Sequence, residues 1–154
     1  MGAYFLDSSA IVKRYVAETG TVWVSDLFNP TAGNKIYATR IAGIEVVSAI
    51  ARRRRGKNVS SKDAADSIKQ FKLEFVSDYI ILDVTTKLVN RAMILADSYA
   101  LRGYDAVQLA SALEANDIRL VAVAPPLILV SADLELNAAA IAEGLTVEDP
   151  NAHP

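Results

Sequence analysis

Three observations predict a three-layer α/β/α domain with a central, mostly parallel sheet. Short continuous apolar runs such as Ala3-Tyr4-Phe5-Leu6 and Leu127-Ile128-Leu129-Val130 recur along the chain. Runs of that kind suit strands buried on both faces. Longer segments of helical character separate them, and regular alternation of strand and helix builds a parallel sheet covered on both sides. No linker, internal repeat or low-complexity segment interrupts the 154 residues. That length suits one domain, so 1–149 read as a single domain and 150–154 as a C-terminal tail.

The first strand spans 3–6 and ends at Asp7. Ser8 and Ser9 suit the N-cap of a helix over 10–18, with Gly20 as its stop. A short helix over 21–28 is broken by Asn29-Pro30, and 35–39, with Ile36 and Tyr37, forms a second strand. A helix from Ile41 carries Glu45 and the basic run Arg52-Arg53-Arg54-Arg55 and stops at Gly56. Ser60-Ser61-Lys62-Asp63 has capping-box spacing and opens a long helix toward Tyr79. Ile80-Ile81-Leu82 with Val84 reads as a buried strand, and Thr86 caps a helix reaching Leu101. Asp105 opens another helix, with Val107, Leu109, Ala110 and Leu113 facing inward. A strand at 127–130 leads through Ser131-Ala132-Asp133 into a helix ending at Gly144, and 145–147 is the last strand.

Composition narrows the chemistry. There is no cysteine, which removes disulfides, thiolate nucleophiles and Cys-based metal sites. The only histidine, His153, is the penultimate residue, where chains usually fray. Ser-His and Cys-His catalysis and a multi-histidine metal site are thereby disfavoured. Any catalysis rests on carboxylates, hydroxyls, Lys, Arg or Tyr. The hydrophobic share of 52% and a mean hydropathy of +0.23 are high for a small monomer and point to an apolar surface used by a partner chain. The N-terminal run before Asp7 is too short for a signal segment. The longest apolar stretch, 120–130, is split by Pro125-Pro126 and falls short of a membrane span, so the expected location is cytoplasmic.

Four acids stand out. In doubly wound sheets ligands bind at the carboxyl ends of the strands, beside a topological switch point. Asp7 follows the first strand, and Asp133 follows the strand at 127–130 in a similar setting of apolar strand, small residues, acid and helix. An acid at a helix start also serves as a simple cap. Glu45 has Ile41, Ala42, Ser48 and Ala49 three and four residues away, so it projects from a small, mostly apolar face. Acids are seldom buried there without a partner or a metal. Asp105 follows Arg102-Gly103-Tyr104 at a helix start. If the four converge, mutual repulsion calls for a hard cation such as Mg²⁺.

The pattern Phe5-Leu6-Asp7-Ser8-Ser9-Ala10, with Ile44-Glu45-Val46-Val47-Ser48-Ala49, resembles a PIN-domain ribonuclease. Arg102-Gly103-Tyr104-Asp105-Ala106-Val107-Gln108-Leu109-Ala110 and Leu129-Val130-Ser131-Ala132-Asp133 extend the match over nearly the whole chain. Length and motif style are most similar to the VapC toxins of bacterial toxin–antitoxin pairs. The resemblance implies that Asp7, Glu45, Asp105 and Asp133 bind Mg²⁺ or Mn²⁺ and that the protein cuts RNA. It also implies homodimerisation and inhibition by a cognate antitoxin covering the site. The segment 119–126 is longer than the family's usual join before the fourth motif.

On this reading Ser9 and Ser131 hydrogen-bond to the acids and aim them, unless they only cap turns. Arg52, Arg53 and Lys13 are the expected RNA contacts, Arg52 lying two helical turns beyond Glu45. Cations at a helix C-terminus are also favoured by the dipole alone. Taking the four ligands from the 18 acids leaves 14 against 16 basic residues, so the −2 net charge does not oppose an RNA substrate. A phosphoaspartyl phosphatase would want a second Asp where Ser9 stands. A receiver domain would want a Lys later than Lys87, the last one present. A catalytically idle PIN-like module that binds RNA or protein is the non-enzyme alternative.

Overall fold

The computed structural model describes residues 1–154 as a five-stranded parallel sheet in the order β3-β2-β1-β4-β5, with helices on both faces. The strands are β1 (Ala3–Leu6), β2 (Lys35–Thr39), β3 (Ile80–Leu82), β4 (Ile128–Val130) and β5 (Thr146–Glu148). The helices are α1 (Ser8–Tyr15), α2 (Thr21–Asp26), α3 (Ala42–Arg55), α4 (Ser61–Ser77), α5 (Thr86–Tyr99), α6 (Gly103–Val121) and α7 (Leu134–Ala142). The order differs from the 2-1-3-4-5 of flavodoxin-like receivers, which removes that alternative on topology.

Alternation along the central strands divides the core in two. On β1, Phe5 points into a core built with α5, α6 and α7, and Leu6 points into one built with α1 to α4. Leu129 and Val130 on β4 repeat the division beside them, in register Phe5↔Leu129 and Leu6↔Val130. All four are fully buried, which explains why these strands read as unbroken apolar runs. The edges differ from expectation. β3 is not buried: Ile80 is 42% exposed, because an edge strand has a neighbour on one side only. Both edge strands are three residues long, which limits the unpaired backbone they present.

Local caps shift several boundaries. Asp7, not Ser8 or Ser9, caps α1 by accepting the Ala10 N–H, so the helix starts at Ser8. Thr85 rather than Thr86 caps α5 through the Leu88 N–H. Ser60 accepts the Asp63 N–H as the capping-box spacing predicts. α6 begins two residues before Asp105, which lies in its first turn. The long join after α6 folds back on itself: Arg119 donates to the Pro125 carbonyl at 2.7 Å and to the Tyr37 hydroxyl at 3.1 Å. The Leu127 N–H donates to Asn116 Oδ1 at 2.9 Å. The extra residues are therefore absorbed before β4, whose register with β1 is undisturbed. No helix is long and apolar enough to cross a membrane.

The C-terminal segment is packed, contrary to its reading as a loose tail. Pro150 is buried, and Asn151 Oδ1 accepts from Lys13 Nζ at 2.8 Å. The His153 ring stacks on Trp23 at 4.2 Å and 4°, and its Nε2 lies 3.1 Å from Glu148 Oε2. Gly20 permits this docking, since it adopts φ +88° and a Cβ there would press on the Pro150 carbonyl. Gly20→Ala is expected to lower the unfolding free energy in urea by about 1–3 kcal/mol and to change Trp23 fluorescence. Gly144→Ala, at φ +90° in open space, is expected to show the backbone cost without the fluorescence change.

Candidate active site

The sheet order reverses between β1 and β4, and the cleft opens at their carboxyl ends. Asp7, Glu45, Asp105 and Asp133 all line this one cavity of about 480 Å³. They come from the ends of β1 and β4 and from α3 and α6, so four separate stretches of chain meet there.

Asp7 is the most deeply set, at 3% exposure. Ser9 donates to its Oδ1 at 2.6 Å, Ser131 donates to its Oδ2 at 2.6 Å, and the Ala10 N–H reaches Oδ1 at 2.9 Å. Each hydroxyl is in turn held by a backbone donor. The Ala132 N–H donates to Ser9 Oγ and the Asp133 N–H to Ser131 Oγ, both at 3.0 Å. Two hydroxyl relays, through Ser9 and Ser131, thus tie the acid after β1 to the loop after β4. Burial pushes the Asp7 carboxyl up from 3.8 to about 6 despite these bonds, and the Glu45 charge adds to the rise.

Glu45 is half-buried and gripped on both oxygens: Ser8 Oγ donates to Oε2 at 3.0 Å and Gln108 Nε2 to Oε1 at 2.8 Å. Asp133 caps α7 through the Leu136 N–H at 3.0 Å, so its capping and cleft positions coexist. Asp105 is raised to about 6, first by burial and then by the charges of Asp133 and Glu45, with Arg102 working against them.

The basic residues divide. Arg52 lines the cleft two turns beyond Glu45 and forms no salt bridge. Arg53 lines it as well and bonds Glu18 Oε2 at 2.8 Å. Lys13 departs from the expectation of an RNA contact. It is 5% exposed, and its ammonium meets Glu18 Oε1 at 3.2 Å, the Thr19 carbonyl at 2.9 Å and Asn151 Oδ1 at 2.8 Å. All three donors are taken, so Lys13 braces the cleft wall and offers nothing to a phosphate.

Sequence reasoning missed Ser8 and Gln108 as the groups that fix Glu45. Gln108 lies three residues after Asp105, one turn along the same helix face, which was the available signal. It also missed Glu18, whose partners Lys13 and Arg53 belong to different helices.

The donor set suits a hard cation: four carboxylates, no sulfur or imidazole, and two acids, Asp7 and Asp105, held up near 6 by burial and by neighbouring carboxylates. No three acids close around one point by themselves. Asp7 at about 6 against 3.8 makes its ionised form costly in the folded cation-free protein. Stability present below pH 4 is then lost as pH rises through 6, by up to about 3 kcal/mol for this group. In EDTA, the Tm of the wild type is expected to fall between pH 4 and 7. Asp7→Asn is expected to flatten that fall and to melt higher than wild type at pH 7.

No family model matches the chain. Ribonuclease VapC45 of Mycobacterium tuberculosis is 30% identical over 154 residues, the whole of both chains. Among solved structures, VapBC2 from Rickettsia felis bound to a DNA fragment from its promoter superposes with a TM-score of 0.62 at 16% identity, covering 96% of this chain and 98% of that one. A toxin–antitoxin complex from Klebsiella pneumoniae superposes with a TM-score of 0.58 at 15% identity, covering 96% and 97%. The structural likenesses carry the fold, and the full-length sequence relationship carries the kinship that the four acid motifs resemble: the chain belongs to the VapC family of ribonucleases.

Proposed function

We propose that this protein is a Mg²⁺- or Mn²⁺-dependent endoribonuclease and the toxin of a toxin–antitoxin pair. The observation that carries the reading is the meeting of Asp7, Glu45, Asp105 and Asp133 in one cleft rimmed by Arg52, Arg53 and Arg102. Kinship with VapC ribonucleases supports RNA as the substrate.

The cleft itself would repel a phosphodiester until a cation balances its acids. Asp7, Glu45, Asp105 and Asp133 would hold that cation, in part through its waters. When bound, it supplies Lewis acidity toward water and toward the phosphate. The chain supplies position. Ser9 and Ser131 hold Asp7, Ser8 and Gln108 hold Glu45, and the α7 cap holds Asp133. The arginines bring the backbone of the strand across the acids, and the attacking water gives its proton to a cleft carboxylate.

The partner surface has support in the side chains left uncovered. Val76 (85%), Val121 (86%) and Val123 (92%) are exposed apolar groups of the kind an antitoxin or a second copy would cover.

The test is cleavage of total cellular RNA. Wild type with Mg²⁺ or Mn²⁺ is expected to give discrete fragments, and both EDTA and Asp7→Asn to abolish them. A wild type that cuts no RNA under any divalent cation would sink the reading. Ser131→Ala frees one Asp7 oxygen and is expected to cost about 10–100-fold in metal affinity. That loss is measured as a higher Mg²⁺ concentration for half-maximal cleavage, with recovery at excess Mg²⁺.

A further inference from the structure

A second cavity of about 750 Å³ opens beside the acid cleft and shares Glu45, Arg52, Arg102, Tyr104, Asp105 and Asp133 with it. What it adds is Ile41, Gly103 and Val107. Glu45, Asp105 and Asp133 therefore sit on the boundary between an inner lobe that contains Asp7 and an outer lobe that adds the apolar side chains Ile41 and Val107.

Of the 6 Tyr, 4 Phe and 1 Trp in the chain, Tyr104 alone is exposed, at 55%. The others are half or fully buried, and several pack on one another, as Phe71 does on Tyr15 and Phe75. An aromatic ring in water loses the burial that makes aromatics favourable in cores. The one ring left out stands next to Asp105, in the first turn of α6, and lines both lobes. Gly103 beside it adds no side chain, and the space at its Cβ position is open. Arg52 and Arg102 flank the lobe and form no salt bridge.

We infer that the outer lobe is a nucleobase subsite: Tyr104 stacks on an unpaired base next to the bond cut at the acids, while Arg52 and Arg102 hold the adjoining phosphates. Base stacking on an aromatic face is strong and tolerant of base identity. It requires a base whose own faces are not covered by neighbours in a helix. The subsite thus selects single-stranded or flipped-out nucleotides over continuous duplex. This inference rests on the ribonuclease reading and deepens it by assigning Tyr104 a base-stacking role beside the acids.

The experiment measures binding in the cleavage-dead Asp7→Asn protein with Mg²⁺, by fluorescence anisotropy of a fluorescein-labelled short single-stranded RNA of mixed sequence and of its blunt duplex. Adding Tyr104→Ala is expected to weaken single-strand binding about five- to hundred-fold and to leave duplex binding unchanged. Tyr104→Phe keeps the ring and is expected to keep the affinity. In Tyr104→Trp, the single strand is expected to quench the new indole fluorescence and the duplex is not. Equal losses for both RNAs, no loss in Tyr104→Ala, or loss in Tyr104→Phe would overturn the subsite. Its failure is separable from that of the ribonuclease reading. Loss of stacking with intact wild-type cleavage removes only the subsite, whereas tight single-strand binding by a wild type that never cleaves removes only the enzyme.

Discussion

A carboxylate with almost no contact with water, placed at the end of the central strand, is the constraint on which this site is organised. Removing Asp7 from solvent is costly, and three hydrogen bonds only partly offset the cost, which is why its carboxyl remains raised. The offset comes from two serines on different segments, each fixed by a backbone N–H of the loop after β4. Holding Asp7 therefore also fixes the backbone of Asp133. The β1–β4 register, the turn after β4 and the acid pair form one mechanical unit.

Charge is layered around that unit. Acids occupy the floor, and basic side chains occupy the rim. Glu18 bonds both Lys13 and Arg53 and so joins the α1 wall to α3. Lys13 carries the connection on to Asn151, so the C-terminal segment braces the cleft from behind. On the proposed reading, a chain with net charge −2 can face an anionic polymer because its negative charge is concentrated where a cation would balance it. The uncompensated positive charge lies at the entrance, on Arg52 and Arg102.

Much of this was legible before any coordinates. Apolar strands and capping signals placed every strand and helix to within a few residues. The largest errors fell where one side of a strand lacks a neighbour, as at Ile80, and at the C-terminus, where Gly20 and Trp23 create a docking place that no local signal announces. The four acids were legible because each stands at an element edge among small residues. Gln108 was not read, since its place one turn after Asp105 shows the face it shares but not that its partner is Glu45 on another helix. Lys13 was misjudged for the same reason: a lysine beside a catalytic motif looks free until the residues that occupy its three protons are brought to it from elsewhere in the chain.

The amino-acid sequence by itself determined the chemistry available. Lacking cysteine and having one histidine at the far end, it left carboxylates as the candidate ligands, and its strand–helix alternation set the sheet that gathers them. Only the tertiary structure decided which side chains hold which acid, that Lys13 is a brace and that Tyr104 is the one uncovered ring. The physical reason is range. Periodicity and capping act over a few residues and are written locally. Desolvation, hydrogen-bond pairing and exposure depend on distant segments such as those of Asp7 and Ser131, 124 residues apart, which only the folded sheet brings into contact.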